Sequence, residues 1–249
     1  MQKDFFFICN WKAYLSFKQA NEFIAQNKAA LATLSKAHKL IICPSFDALT
    51  SIGRELADTG IALGAQDCSA HKSGAFSGQV LASSLKEVGC TYCIIGHAEV
   101  RKECNNTTEI IGTKAHLLLE QGITPLICIG ESAKEFDIGI GHQVIEQQLV
   151  PLLQMLKNKA AHKTIGIAYE PTWAIGAGSM PQSSYLSSQL ETVKRLCTNS
   201  IPDTKVFLFY GGGVDEQTIR SLKNIELLDG VVIGHASTDF QKLQKIVLS

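Results

Sequence analysis

The sequence predicts an α/β fold in which eight parallel strands alternate with helices and close into a single barrel. Eight apolar, strand-like segments alternate with segments of helical periodicity over 249 residues. No linker rich in Pro, Gly or Ser interrupts this alternation, and no internal repeat is present. Polar residues follow the predicted strands, where the loops of such a barrel form its mouth. We therefore expect one (β/α)8 domain over residues 1–249.

An open, doubly wound sheet is the alternative architecture. That fold usually carries a G-x-G-x-x-G turn after its first strand. Here the corresponding turn reads Asn10-Trp11-Lys12-Ala13, which contains no glycine. The closed barrel is therefore favoured.

The predicted strands are short runs of apolar and β-branched residues, as expected for strands buried on both faces. One of them begins at Ile165 and stops before Pro171, because proline cannot continue a central strand. The other seven are Phe5 to Trp11, Lys39 to Cys43, Ile61 to Ala65, Thr91 to Ile95, Thr124 to Ile129, Lys205 to Tyr210 and Val231 to Ile233.

The predicted helices are identified by their apolar faces and their capping residues. Ser16 and Gln19 form a capping box before the first helix, and Gly122 ends the fourth. Two residues, Ser183 and Ser184, are alternative N-caps for the helix that ends at Cys197. The helices are expected at Phe17 to Leu34, Phe46 to Leu56, Leu81 to Val88, Thr108 to Gln121, around the face Ile145, Leu149, Leu152 and Leu156, at Tyr185 to Cys197, from Asp215 as cap to Leu222, and in a last segment opened by His235.

The composition excludes several classes of function. Lys and Arg together number 23, as do Asp and Glu, and no run of like charge occurs, so a nucleic-acid partner is not expected. The first apolar run, Phe5 to Cys9, is too short for a signal sequence, and no stretch approaches the length of a membrane span. We therefore expect a cytoplasmic protein without a membrane partner.

The eight cysteines lie mostly in apolar, strand-like segments and are expected to be buried free thiols. Cys90 and Cys93 have a C-x-x-C spacing, but no second pair of ligands follows them. We therefore expect no metal site.

A carboxylate stands where the predicted sixth strand ends. Period-two alternation places Gly166, Ala168 and Glu170 on one side of this strand. Pro171 holds the residue before it in an extended conformation, so the carboxylate is fixed at the C-terminal edge of the strand. Glu170 is therefore a candidate catalytic base, and a surface glutamate before an ordinary loop is the alternative.

The residues after Pro171 have the composition of a flap that covers a small site. An apolar tip, Trp173-Ala174-Ile175, is followed by Gly176-Ala177-Gly178. Gly176 can also present its backbone N–H to an anion.

Two other strand ends carry candidate catalytic residues. Asn10 and Lys12 have the same parity at the end of the first strand, so both are expected at the barrel mouth. His97 and Glu99 follow the fourth strand. If the chain remains extended there, both side chains point to the inner side of the barrel. A solvated lysine and a core histidine satisfied by the backbone are the alternatives.

Glycine-rich loops follow the last two strands. Gly211 to Gly213 come after Tyr210, and Gly230 to Gly234 frame the eighth strand, with His235 next. The backbone N–H groups of such loops and of a helix N-terminus bind phosphate in barrels of this kind. The sequence therefore predicts an anion site between these two loops.

These motifs resemble those of the triosephosphate isomerase family, and the resemblance extends over the whole chain. It implies a TIM barrel that interconverts dihydroxyacetone phosphate and D-glyceraldehyde 3-phosphate through an enediolate, a step of glycolysis and gluconeogenesis, without a cofactor. The motifs are Asn10-Trp11-Lys12, Ile95-Gly96-His97-x-Glu99, Ala168-Tyr169-Glu170-Pro171-x-Trp173-Ala174-Ile175-Gly176, Tyr210-Gly211-Gly212 and Asp229-Gly230.

The resemblance also implies a role for each candidate residue. Glu170 would be the base that moves a proton between adjacent carbons, and neutral His97 the electrophile at the enediolate oxygens. Lys12 would be the cation for the phosphate and the developing charge, and Glu99 would hold it in place. Asn10 would position the substrate and His97. Gly176, Gly213, Gly234 and His235 would contact the substrate, and Tyr210 would bond the flap.

The loop from Gly74 to Gly78 resembles the arm through which members of this family form dimers. It carries Phe76 at a glycine-flanked tip, where an exposed aromatic side chain requires a partner. The resemblance therefore implies a homodimer.

Several residues depart from the family pattern. Ala98 and Val100 stand where the family has serine and arginine, and Asn106 where it has the glutamate that pairs with that arginine. Gly213 replaces a serine that helps to hold the closed flap, and His235 replaces a glycine of the phosphate site. The imidazole of His235 either turns inward to bond the phosphate or outward to solvent.

The departures leave two alternative functions open. One is isomerisation of a longer sugar phosphate, which the changes at Gly213 and His235 would permit. The other is a degenerate barrel kept as a binding protein. The presence of all four residues expected to be catalytic disfavours it: Asn10, Lys12, His97 and Glu170.

Overall fold

The computed structural model describes residues 4–176 and 180–249, and its eight parallel strands form a closed barrel. Neighbours in sequence are neighbours in the barrel, and β8 pairs with β1 through registers such as Phe7 with Val231. The predicted fold class is confirmed. The strands β1 to β8 are Phe6–Asn10, Lys39–Cys43, Ala62–Ala65, Tyr92–Ile95, Thr124–Ile129, Thr164–Tyr169, Lys205–Tyr210 and Gly230–Ile233.

The helices lie between the strands, and none of those described is both long and apolar enough to cross a membrane. The capping box of Ser16 and Gln19 is present. Gly122 adopts a φ of 69° after Thr108–Glu120, which was the fourth predicted helix and is the fifth in the structure. In the described part of the chain the helices α1 to α10 are Phe17–Leu34, Leu49–Leu56, Ala82–Glu87, Ala98–Cys104, Thr108–Glu120, Ala133–Asp137, Gly141–Leu156, Ser183–Ser200, Ile219–Lys223 and Phe240–Leu248.

Two short helices, α4 and α6, were not expected from the sequence. Neither contains a buried residue, so neither has the apolar periodicity by which helices are recognised in a sequence. The predicted helix Phe46 to Leu56 is also divided, because Phe46–Ala48 form a 3-10 turn before α2.

Three expected helix starts are wrong. The cap of α8 is Gln182, whose side chain makes no capping bond, rather than Ser183 or Ser184. Asp215 accepts bonds from backbone N–H groups two and three residues later, but α9 begins only after this turn. His235 opens a separate 3-10 helix, His235–Thr238, and α10 is capped by Asp239 instead.

The core has two layers. One layer fills the barrel and includes Ile8, Leu126, Ala168 and Phe209, and the other lies between the barrel and its helices. A Cβ atom at Gly166 would lie 2.5 Å from the Phe209 ring, so this side of β6 faces the interior, as its alternation predicts.

All eight cysteines are free thiols, and seven of them are buried as expected. The exception is Cys104, which is exposed at the end of α4. Burial raises the pKa of the Cys43, Cys93 and Cys128 thiols well above the ordinary value, so these thiols stay protonated.

Candidate active site

A cavity of about 340 Å³ opens at the C-terminal end of the barrel, where the predicted site residues meet. Residues that follow five different strands line it, which is the usual way a barrel of this class builds a site. The lining residues are Asn10, Lys12, Tyr14, His97, Glu170, Ile175, Gly176, Gly211, Gly212, Gly213, Val214, Asp215, Val232, Gly234, His235 and Ala236.

Glu170 lies one residue beyond β6 and is held there by its backbone. Its N–H donates to the carbonyl of Ile129 at 2.7 Å, and Pro171 follows with a φ of −60°. A Cβ atom at Gly130 would overlap the Glu170 carbonyl, and one at Gly211 would lie 2.6 Å from its Cγ. Two glycines therefore provide the space in which this residue is placed.

The Glu170 carboxylate is buried, with a relative exposure of 2%. Neither of its oxygens has a hydrogen-bond partner among the described residues. Burial raises the pKa of this carboxyl above its ordinary value, and the opposing effects of His97 and Lys12 do not cancel that rise. A carboxylate in this state is a stronger base than one in water.

His97 caps the N-terminus of α4 and faces Glu170. Its Nδ1 accepts the backbone N–H of Glu99 at 3.3 Å, so the proton of the neutral ring sits on Nε2. Nε2 lies 3.7 Å from Glu170 Oε2. The ring therefore directs a donor into the cavity beside the carboxylate.

His97 and Glu99 do not reach the cavity by continuing the strand, as the parity argument assumed. β4 ends at Ile95, and Gly96 turns the chain with a φ of 69°. Glu99 then lies in the first turn of α4. Glycine adopts this backbone conformation at low cost because it has no Cβ atom.

Lys12 likewise reaches the mouth through a turn and not by strand parity. β1 ends at Asn10, and Lys12 has a φ of 47°. Its N–H donates to Asn10 Oδ1 at 3.2 Å, and Gln66 Nε2 donates to its carbonyl at 2.9 Å. These bonds stabilise the left-handed conformation of a residue other than glycine.

The Lys12 ammonium lies 2.6 Å from Glu99 Oε1. The lysine side chain is mostly covered, whereas the Glu99 side chain is exposed. The ion pair fixes the direction of the ammonium and leaves it on the cavity wall.

The glycine-rich loops after β7 and β8 contribute backbone to the cavity. Gly213 and Gly234 both line it, and a Cβ atom at Gly234 would meet Lys12 Cε at 3.7 Å. His235 lies at the rim with its side chain exposed, and its ring packs on Tyr14 with the centroids 4.8 Å apart. Tyr14 was not identified from the sequence.

Tyr210 is buried beside Gly212, where a Cβ atom would overlap the phenol oxygen. That oxygen has no hydrogen-bond partner in the described part of the chain. Burial also raises the pKa of this phenol, so it remains a donor.

The sequence analysis missed three residues that organise the site. Gln66 follows β3 and donates to the carbonyls of Lys12 and Cys43. Arg101 donates to the carbonyls of Gly96 (2.8 Å) and Cys128 (3.0 Å), which ties the ends of β4 and β5 together. Only their positions near strand ends could have indicated them.

Glu131 is the third missed residue. It follows β5, is completely buried, and accepts hydrogen bonds from Tyr169, Trp173 and Tyr185. Thr172–Ala174 form one 3-10 turn at the start of the predicted flap, and Gly176 has a φ of 72°. Ala177 and Gly178 of that flap lie outside the described residues.

The comparisons with known proteins agree with this geometry. The model of the family Triosephosphate isomerase matches residues 5–249. The chain is 35% identical over 243 residues to a triosephosphate isomerase of Aquifex aeolicus, covering 96% of this chain and 97% of that protein. It is 36% identical over 246 residues to one of Wolbachia pipientis wMel, covering 98% and 93%. This chain therefore belongs to the triosephosphate isomerase family.

Proposed function

We propose that this chain interconverts dihydroxyacetone phosphate and D-glyceraldehyde 3-phosphate, as an aldose–ketose isomerase of glycolysis and gluconeogenesis in the cytoplasm, with residues 1–249 as one catalytic domain. The observation that carries the proposal is the buried Glu170 carboxylate, which lies 3.7 Å from His97 Nε2 in a cavity that Lys12 also lines.

Glu170 acts as the base. It removes a proton from the carbon next to the carbonyl, and the electron pair of that C–H bond forms the carbon–carbon double bond of an enediolate. The former carbonyl oxygen then carries the negative charge. After protons shift between the two oxygens, Glu170 returns a proton to the adjacent carbon, which completes the isomerisation without a cofactor.

His97 and Lys12 stabilise the charge that develops on oxygen. The Nε2 proton of His97 donates to the enediolate oxygens, and the Lys12 ammonium lies on the same side of the cavity. Asn10 fixes the turn that carries Lys12, so it positions this cation as well as the substrate. Glu99 holds the ammonium through the contact described above.

The phosphate binds between the last two loops. Gly176, Gly213 and Gly234 line the cavity, and backbone N–H groups of these loops bind the phosphate while Lys12 balances its charge. His235 lies at the rim of this phosphate site, where its exposed ring packs on Tyr14. The Tyr210 hydroxyl is available to bond the flap when substrate is bound.

A steady-state assay with three-carbon and longer sugar phosphates tests the proposal. We expect turnover of the triose phosphates, and in D2O the product should carry deuterium at the carbon that receives the proton. Faster turnover of a longer sugar phosphate would replace the proposed substrate. Binding without turnover of any of them would show a degenerate barrel and contradict the proposal.

We also propose that the chain is a homodimer joined through the loop from Gly74 to Gly78. The Phe76 ring stacks on His71, which precedes this loop, with the ring centroids 3.5 Å apart, yet 38% of Phe76 remains exposed. Beside this loop lies a cavity of about 670 Å³, lined by the exposed Phe46 and by Asn106.

Sedimentation at micromolar concentration tests the dimer. We expect two chains for the parent and dissociation for Phe76→Ser, because the substitution removes the apolar contact. The matched control is Phe136→Ser, which changes an equally exposed aromatic residue away from this loop. A fully active parent monomer would contradict the proposal.

A further inference from the structure

Glu131 is a buried carboxylate that is satisfied by neutral donors. Its Oε1 accepts from Tyr169 at 2.8 Å, from Trp173 Nε1 at 3.0 Å and from Tyr185 at 3.2 Å. No ion pair to it is formed by the residues that the structure describes. A buried charge without a cation depends on such hydrogen bonds, so each donor affects where the carboxylate sits.

One of the three donors, Trp173, lies in the segment that covers the cavity, and another, Tyr185, follows that segment in sequence. We call residues 172–176 the cover segment, because its Ile175 and Gly176 line the cavity. Its first residues are tied to Glu131 twice, through the Thr172 N–H on the backbone carbonyl (2.9 Å) and the Trp173 indole on the carboxylate. Tyr185 lies in the first turn of α8, on the other side of this segment in sequence, and bonds the same oxygen.

The surroundings of Tyr185 leave room for this bond. A Cβ atom at Gly141 would overlap the Tyr185 hydroxyl and would lie 3.6 Å from the Glu131 Cδ. The Phe136 ring packs on two of the Glu131 donors: its centroid lies 4.2 Å from that of the Trp173 ring and 5.2 Å from that of the Tyr185 ring. Burial and the Glu131 charge raise the pKa of the Tyr185 phenol, so it stays a donor.

We propose that Tyr185 is a positioning residue, which holds the Glu131 carboxylate in place for Trp173 and so keeps the cover segment over the cavity. The inference rests on the proposed isomerase function for its catalytic consequence. Its structural part, the dependence of Trp173 on Tyr185, holds without substrate.

The catalytic consequence concerns the enediolate. An enediolate of a triose phosphate can expel its phosphate group: the C–O bond to phosphate breaks, its electron pair leaves with the phosphate, and the remaining enol becomes methylglyoxal. A cover that excludes water and restrains the intermediate suppresses this side reaction. A looser cover therefore raises the fraction of substrate lost to methylglyoxal and inorganic phosphate.

The first test uses no substrate. The chain has two tryptophans, Trp11 and Trp173, so 5-fluorotryptophan labelling gives two 19F resonances, which Trp173→Phe assigns. In Tyr185→Phe we expect the Trp173 resonance to shift or broaden, while the Trp11 resonance stays unchanged. The matched control is Tyr92→Phe, which removes a phenol hydroxyl at the start of β4.

The second test measures turnover. Tyr185→Phe should lower kcat/KM for the triose phosphate about fivefold, equivalent to about 1 kcal/mol for one hydrogen bond, and should raise the methylglyoxal fraction by a similar factor. Gly141→Ala should reproduce both effects with Tyr185 intact, because its methyl group displaces the hydroxyl. This second variant also decides the question if Tyr185→Phe does not fold.

The outcomes separate the two proposals. An unchanged Trp173 resonance in both variants overturns the role of Tyr185. A shifted resonance with an unchanged methylglyoxal fraction overturns its catalytic consequence. A parent that turns over no triose phosphate contradicts the proposed function, while the 19F result still decides whether Tyr185 positions Trp173.

Discussion

Replacing Gly211 with alanine should displace the catalytic base and leave the fold intact. Gly211 follows β7, and its N–H donates to the Tyr169 carbonyl at 2.9 Å. An added Cβ atom would lie 2.6 Å from both Cγ and Oε1 of Glu170 and 3.0 Å from its Cδ. Carbon atoms in ordinary contact are about 3.5–4.0 Å apart, so the carboxylate must move by about 1 Å.

The movement should be costly for catalysis and cheap for stability. The overlapping atoms belong to the end of a side chain, which can rotate away, and the backbone of Gly211 is outside the left-handed region. A displacement of about 1 Å in a reacting group costs on the order of 100-fold in rate, or about 2.7 kcal/mol in the activation barrier.

The assay compares kcat and the thermal midpoint of Gly211→Ala with those of the parent. Gly112→Ala is the matched control, because its Cβ would lie 2.6 Å from Met155 Sδ, also on a flexible side chain but within the helical layer. We expect a loss in kcat of about 100-fold for Gly211→Ala alone. A kcat within about threefold of the parent would refute the steric argument.

Three further predictions concern the same site. Glu170→Gln should raise the thermal midpoint at pH 8, because the buried carboxylate has a raised pKa and its ionised form destabilises the fold. The gain should shrink as the pH falls to below the ordinary carboxyl pKa, where the folded and unfolded states are both protonated, and a gain that does not change with pH would contradict this. Lys12→Met should raise KM and lower kcat in steady-state assays, because the ammonium faces both the phosphate and the developing charge; an effect on neither would make Lys12 a surface residue. Gly213→Ser should tighten a transition-state analogue about fivefold by adding one hydrogen bond to the flap, and unchanged affinity would mean that the flap is held elsewhere.

The strands and the catalytic carboxylate could be predicted from the sequence because both depend on local rules. β2, β5 and β7 have the predicted bounds, since each is a largely apolar run that begins at a polar residue and stops before a proline or a glycine. The position of Glu170 follows from the alternation of β6 and from Pro171, which together fix its side and its backbone.

The other site residues lie beyond the reach of periodicity. Lys12 and His97 enter the cavity after turns with positive φ at Lys12 and Gly96, and strand parity no longer applies there. The role of Glu131 depends on donors 38 to 54 residues away in sequence, which only the closed barrel brings together. Short helices such as α4 bury no residue and leave no apolar pattern.

The most direct test of the account is the activity of Glu170→Gln, which keeps the shape of the side chain and removes its basicity. We predict a fall in kcat of about 1,000-fold with KM within a few-fold of the parent, since the base acts only on the chemical step. Glu146→Gln, on an exposed ion pair with Arg195, is the control and should retain full activity. A Glu170→Gln enzyme that keeps more than about a tenth of the parent activity would contradict the assignment of the base.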